Sequence, residues 1–273
     1  MTQEEKWADR INKLLAQAEH SNTSDTERDA FIEKAQALMT QYAISEAMIA
    51  TQRGEAIEEI VSERLTFTGS MQKTTMGHVF VIARFHNCRA HYMTGLSTRT
   101  TTKSGKDKWA TSTDVVVVGF KSDVERLKLL SASLDIQRAT ALSRWWKEST
   151  DKHYMSRFDQ FVAKRSFVNG FNTGLAAKLH EADRAGRAAA VHDEATRSKI
   201  TEQDAEKSVA LVLKSRTDQV KDWYDEKYGG SIRPGRATRS RSSYSARGAG
   251  VAAGRSADTG TPRVGGNRGA LQA

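Results

Sequence analysis

The stretch VVVVGFKSDVERLKLLSASL, residues 115–134, predicts a buried strand followed directly by a helix. Its four β-branched valines favour a strand, and Gly119 is expected to end that strand. Ser122 and Asp123 are residue types that cap helices, because their side chains accept hydrogen bonds from free backbone N–H groups. Apolar residues then recur at helical spacing as far as Trp145, which is expected in the core.

The residues before this unit predict two further strands and one helix. Alternation of apolar and polar residues over 61–67 indicates a half-buried strand. Residues 71–86 place apolar side chains on one helical face, and residues 89–94 are typical of a second strand. Residues 96–113 are rich in Ser, Thr and Lys, and they are consistent with either a long hairpin tip or a flexible loop.

The residues after the unit predict more long helices. One is marked by the apolar residues Phe158, Phe161, Val162, Phe171, Leu175 and Leu179. It contains the pair Gly170 and Gly174, whose small size permits close helix packing. An Ala-rich, charged stretch over 182–198 separates it from a helix opened by Thr201 and Asp204. Residues 57–228 therefore predict an α+β domain with β-α-β-β-α order followed by long helices.

The N-terminal residues 1–52 predict a helical hairpin module. Trp7, Ile11 and Leu14 begin the apolar stripe of a first helix, and Phe31 and Leu38 belong to that of a second. Helices of about 15 to 18 residues are marginal in water on their own. We therefore expect this module to pack on the α+β domain, to form a contact between two copies, or to bind a protein partner.

Within this module, residues 7–45 resemble the domain-of-unknown-function family numbered 2786. The resemblance rests on RINKLLAQA at 10–18, AQALM at 35–39 and YAI at 42–44. It extends more weakly to the strand, Gly and helix unit at 115–134, to SFVNGFNTGLAAKL at 166–179 and to the Ala/Gly/Arg-rich segment 247–260. The resemblance implies a bacterial or phage setting, and it implies no activity and no catalytic residues.

The charge of the chain is concentrated in its last residues. The 273 residues carry a formal net charge of +9, and residues 231–273 contain eight arginines, no lysine and one acid, Asp258. Both prolines and ten of the nineteen glycines also lie beyond position 228. Residues 229–273 therefore predict a basic, low-complexity tail that is largely disordered. Small residues at 246, 249, 250, 253, 254 and 257 have helical spacing, so this part of the tail is the candidate for an ordered helix.

Arginines without lysines indicate phosphate binding, because the guanidinium group makes bidentate hydrogen bonds and stacks on bases. A tyrosine among them adds a stacking surface for single-stranded nucleic acid. The candidate nucleic-acid-binding residues are Arg233, Arg236, Arg239, Arg241, Tyr244, Arg247 and Arg255. Two other interpretations are a solvated end without a partner, and a tail that docks on the domain or on another protein.

Metal chemistry has one candidate cluster, His86, Cys88 and His91. Two imidazoles and a thiolate are ligands that zinc accepts. However, a strand would point Cys88 and His91 to opposite faces, and a lone cysteine is typically a small buried residue. We therefore assign no metal and no cofactor.

These observations favour a non-enzymatic, nucleic-acid-associated accessory protein. The alternatives are a metal-dependent hydrolase that uses the region around His86, and a protein-interaction module in phage or host assemblies. The single cysteine, the polar first ten residues and the lack of a run of about 18 apolar residues predict a cytoplasmic protein without a membrane partner. For a phage protein that compartment is the cytoplasm of the bacterial host.

Overall fold

A computed structural model of the chain describes residues 58–101, 105, 107–232 and 240–257, together with Lys13. The strands are β1 (Ile60–Thr68), β2 (Arg89–Thr101) and β3 (Asp107–Phe120). The helices are α1 (Gln72–Thr75), α2 (Gly77–Phe85), α3 (Lys121–Glu148), α4 (Arg157–Ser198), α5 (Glu202–Tyr228) and α6 (Tyr244–Ser256), with a short 3-10 helix at Asp151–His153. This mixture of helices and an antiparallel sheet confirms the predicted α+β class.

The three strands form one antiparallel sheet in the order β1-β3-β2, with the four valines at its centre. Val115 lies between Leu65 of β1 and Tyr92 of β2. Val115 and Val117 pack against α2, α3 and α4, whereas the residues at 116, 118 and 120 pack against α5. Helices on both faces of β3 explain why its apolar residues are continuous instead of alternating with polar ones.

The Ser/Thr/Lys-rich stretch at 96–113 forms a hairpin and not a loop. Strands β2 and β3 pair as far as Thr101 and Asp107, and the register shifts once between Thr94 and Leu96. Gly95 lies at this shift with a φ of 78°, which residues with a side chain rarely adopt. Residues 102–104 and 106, at the tip, lie outside the described residues.

The start of α3 differs from the prediction. The helix begins at Lys121, and the side chain of its N-cap residue, Phe120, makes no capping hydrogen bond. Instead, the Glu58 carboxylate accepts hydrogen bonds from the Ser122 backbone N–H at 2.5 Å and from the Ser122 hydroxyl at 3.0 Å. A carboxylate from a distant segment therefore satisfies this helix N-terminus.

Gly119 does not end β3, which continues to Phe120. A Cβ at Gly119 would lie 2.6 Å from the Cys88 Sγ, so the glycine permits close contact with that side chain. The Ala-rich stretch 182–198, which was expected to lie between two helices, belongs to α4, which runs without interruption over 42 residues. Ala190 within that stretch is buried against Val209 and Val212 of α5. The Thr201 cap is confirmed, since its hydroxyl accepts a hydrogen bond from the Asp204 backbone N–H.

Candidate nucleic-acid interface

Helix α6 places the described part of the basic tail directly on α4. A Cβ at Gly170 would overlap the Arg247 carbonyl oxygen, and one at Gly174 would overlap that of Val251. In the other direction, a Cβ at Gly250 would overlap the Phe167 carbonyl oxygen. The two backbones therefore lie in direct contact, as the small residues predicted. Residues 244–256 form a helix, in the part of the tail whose small residues at helical spacing had predicted one.

Hydrogen bonds fix both ends of α6. The Ser243 backbone N–H donates to the Ser166 hydroxyl at 2.9 Å, and the Ser243 hydroxyl caps α6 by accepting from the Ala246 N–H. At the other end, the Lys178 ammonium group donates to the Ala257 carbonyl oxygen. Because 243 pairs with 166 and 257 with 178, the two helices run in the same direction.

The segment that leads into α6 is bound to the first turns of α4. The Arg165 guanidinium donates to the Arg241 carbonyl oxygen at 2.7 Å, and the Arg241 guanidinium lies 3.4 Å from the Asp159 carboxylate. Arg241, Arg247 and Arg255 are all exposed, and the Tyr244 ring is 94% exposed. The remaining predicted arginines, Arg233, Arg236 and Arg239, lie outside the described residues.

The tail meets a surface that the sequence did not single out. The last turns of α3, the 3-10 helix and the first turns of α4 contribute six cationic side chains: Arg144, Lys147, Lys152, Arg157, Lys164 and Arg165. Together with Arg241 and Arg247 of the tail they form the surface that we name the basic end. Its acidic residues are Glu148, Asp151 and Asp159.

Aromatic side chains accompany these cations. Lys164 lies over the Trp146 ring at 4.3 Å from its centroid, and Arg165 lies over the Phe161 ring at 5.6 Å. Trp145 is half-buried and stacks on Phe167 with 5.0 Å between ring centroids. Two other aromatic rings, Tyr154 and Phe158, are exposed to solvent. Phe158 therefore does not belong to the buried face of α4, although its spacing predicted that it would.

The His86, Cys88 and His91 side chains do not come together. Cys88 is buried in the core on the α2 and α3 side of the sheet, and its thiol donates to the His86 carbonyl oxygen at 3.2 Å. His91 lies on the opposite face, where its Nδ1 is 3.0 Å from the Tyr224 hydroxyl. Among the described residues, no three His, Cys, Asp or Glu side chains are arranged to hold a metal ion.

Burial determines the protonation of this cluster. It raises the pKa of the Cys88 thiol well above its ordinary range, so the thiol stays protonated and is a poor nucleophile. Burial, with a contribution from the nearby Arg126 guanidinium, lowers the pKa of His86 to about 4. Desolvation also lowers the pKa of His91.

A histidine and a serine form a polar pair in the core that the sequence analysis did not predict. The His78 Nε2 is 2.8 Å from the Ser131 hydroxyl, and its Nδ1 is 2.6 Å from the Thr75 carbonyl oxygen. A serine beside an oriented histidine is the arrangement of an activated nucleophile. However, His78 is only 1% exposed, Ser131 is buried, and burial lowers the pKa of His78. The pair therefore joins α2 to α3 without offering a surface to a substrate.

The comparisons with known proteins concern the N-terminal segment. Residues 6–46 match the model of a family described as Protein of unknown function (DUF2786), which confirms the resemblance of residues 7–45. The match does not include the weaker likeness at 115–134, 166–179 and 247–260. No curated protein matches the chain. No solved structure matches it either. None of the described helices is long and apolar enough to cross a membrane.

Proposed function

We propose that the chain is a nucleic-acid-associated accessory protein that binds phosphate groups with its arginine tail and with the basic end. The observation that carries the proposal is the position of the tail, which is bound to the one cluster of surface cations described above. Residues 144–165 and 240–247 together contain eight Lys or Arg and three Asp or Glu. Cations in such excess attract a phosphate backbone, and their binding releases counterions from it.

Exposed rings favour single strands as the partner. Tyr154, Phe158 and Tyr244 present their faces to solvent near these cations. Aromatic rings stack on unpaired bases, and each stack contributes about 1–3 kcal/mol by alanine substitution. Tyr244→Ala should therefore weaken binding of a single-stranded oligonucleotide by roughly 5- to 150-fold, and it should change the affinity for a duplex much less.

Salt dependence of oligonucleotide binding tests the electrostatic part of the proposal. Lys147 and Arg157 are exposed, so replacing both by glutamine removes two charges from the surface with little effect on the fold. The slope of log K against log salt should decrease in magnitude by about 1.4 for a single strand, because each phosphate neutralised by a cation adds about 0.7 to it. Fluorescence anisotropy of a labelled oligonucleotide between low and high salt measures this slope.

The matched control is the double variant Lys207→Gln and Lys214→Gln on α5, where both residues are exposed. It removes the same charge far from the basic end, since the 42 residues of α4 span about 60 Å. Equal slopes for the two double variants would refute binding at the basic end. Removal of residues 231–273 is a poor test of charge, because it would also remove α6 and expose the surface of α4 that α6 covers.

The proposal places the protein in the cytoplasm of a bacterium, or of a bacterial host if a phage encodes it. The thiol of Cys88, buried and protonated, is compatible with a reducing compartment. Binding by cations and rings requires no cofactor and no catalytic group.

A further inference from the structure

Helix α3 has an apolar surface that faces solvent, directly opposite the face that it buries. Leu129 is 71% exposed and Ile136 is 69% exposed, and Ala132 and Ala139 lie on the same side of the helix. These four residues, which we name the α3 stripe, are separated by three, four and three positions, as one helical face requires. The opposite face of α3 is already in the core through Leu127, Leu130 and Leu134.

A helix that is apolar on two faces is normally covered on both. A shallow depression lined by Ala139, Thr140, Ser143, Arg144 and Lys147 continues the α3 stripe toward the C-terminal end of the helix. The exposed face thus extends over most of the helix, and it has the length of a surface that receives another helix.

Apart from Lys13, the described residues begin at Glu58, beside the N-terminal end of this same helix. The Glu58 carboxylate binds Ser122, and the Glu59 carbonyl oxygen accepts a hydrogen bond from the Lys121 backbone N–H at 3.0 Å. Arg216 of α5 lies 3.3 Å from the Glu58 carboxylate and fixes it in place. Residues 1–57 are therefore connected to the body of the protein at the first turn of α3.

The distance from that point to the α3 stripe is short. Leu129 lies about 10 Å along the helix from Ser122, and Ala139 lies about 25 Å from it, at 1.5 Å for each residue. The segment that matches the family model ends at residue 46. The residues between 46 and 58 span about 40 Å when extended, so the matched segment reaches every part of the stripe.

We propose that the N-terminal segment, residues 6–46, docks with its apolar helix faces on the α3 stripe of its own chain. Its two predicted helices carry apolar residues that need a covering surface, among them Trp7, Leu14 and Leu38. The docking covers both apolar surfaces at once.

The charges of the two partners are complementary. Residues 6–46 contain seven acidic and five basic side chains, whereas α3 contains six basic and four acidic ones. Lys121 and Lys128, which lie outside the basic end, are exposed on the side of the stripe and face an acidic occupant favourably. A second copy of α3 would instead bring these same cations face to face.

A photo-crosslinking amino acid at position 132 of the full chain tests the docking. Ala132 is exposed, so the substitution does not disturb the core. Light and isotopically heavy chains are mixed before irradiation, and the crosslinked peptides are identified by mass spectrometry. A crosslink to residues 6–46 of the same chain supports the proposal. Crosslinks between light and heavy chains overturn it in favour of a contact between two copies, and crosslinks to neither also overturn it.

A double variant, Leu129→Glu and Ile136→Glu, gives an independent measurement. Both side chains are exposed to solvent in the body of the protein, so the sheet and the core should keep their hydrogen-exchange protection. Peptides from residues 6–46 should lose protection by about tenfold or more, because charges replace two apolar side chains of the docking surface. Leu211→Glu on α5 is the matched control, since Leu211 is 69% exposed and lies outside the stripe. Equal protection of residues 6–46 in the double variant and in the wild-type chain overturns the proposal.

Discussion

Replacing Gly250 by alanine, with Gly248→Ala as the control, tests the contact that holds α6 on α4. A Cβ at Gly250 would overlap the Phe167 carbonyl oxygen, which belongs to the backbone of α4 and cannot rotate away. A Cβ at Gly248 would meet no atom within 4 Å. Both residues lie in the same helix, so both variants gain about 0.8–1.0 kcal/mol in helix propensity. The difference between them therefore isolates the steric cost at Gly250.

We expect that cost to be about 1–3 kcal/mol, the usual range for an atom forced into a well-packed site. It corresponds to a roughly 5- to 150-fold lower hydrogen-exchange protection of α6 in Gly250→Ala than in Gly248→Ala. Exchange measured on peptides that cover 244–256 is the suitable assay, because it reports the local opening of α6 separately from the unfolding of the sheet. Equal protection of α6 in the two variants would refute the direct backbone contact.

Three further predictions concern buried groups. Arg216→Gln should lower the free energy of unfolding by about 1–3 kcal/mol in urea titrations, because Arg216 binds the buried Asp123 carboxylate at 3.1 Å; a decrease no larger than that of the exposed Lys214→Gln would contradict this. Burial lowers the pKa of His78 and of His86, the latter to about 4, so below about pH 6.5 the unfolded chain binds more protons than the folded one. The urea midpoint should therefore fall as the pH is lowered from about 6.5 toward 4. A midpoint that does not change over this range would contradict this prediction. Cys88→Ala should lower the melting temperature slightly and leave the metal content of the purified protein unchanged, and zinc in equal amount to the protein that is lost in the variant would restore the hydrolase hypothesis.

The sequence predicted those parts of the fold that depend on local patterns. The valines of β3 and the glycine spacings of α4 and α6 are each decided by residues within one turn or one strand. The predicted capping of α3 was wrong because the carboxylate that caps the helix belongs to Glu58, 64 positions before Ser122. The continuity of α4 was missed because its Ala-rich stretch has few large apolar residues, and only contact with α5 shows that Ala190 is buried.

The candidate interface was predicted only in part, for a related reason. Composition alone indicated the tail arginines, because no packing is needed to recognise a segment with eight arginines and one acid. The cations on α3 and α4 were missed because helical spacing shows which side of a helix is apolar, but not how far the covering elements extend along it. Phe158 has the spacing of a core residue, yet it lies in the first turn of α4, where no described element covers it. Leu129 and Ile136 are also apolar residues at helical spacing that are exposed, because they lie on the solvent side of a helix whose other face is already packed in the core. Under our two proposals, an unpaired base covers Phe158 and residues 6–46 of the same chain cover Leu129 and Ile136, so both exposed apolar sites are accounted for.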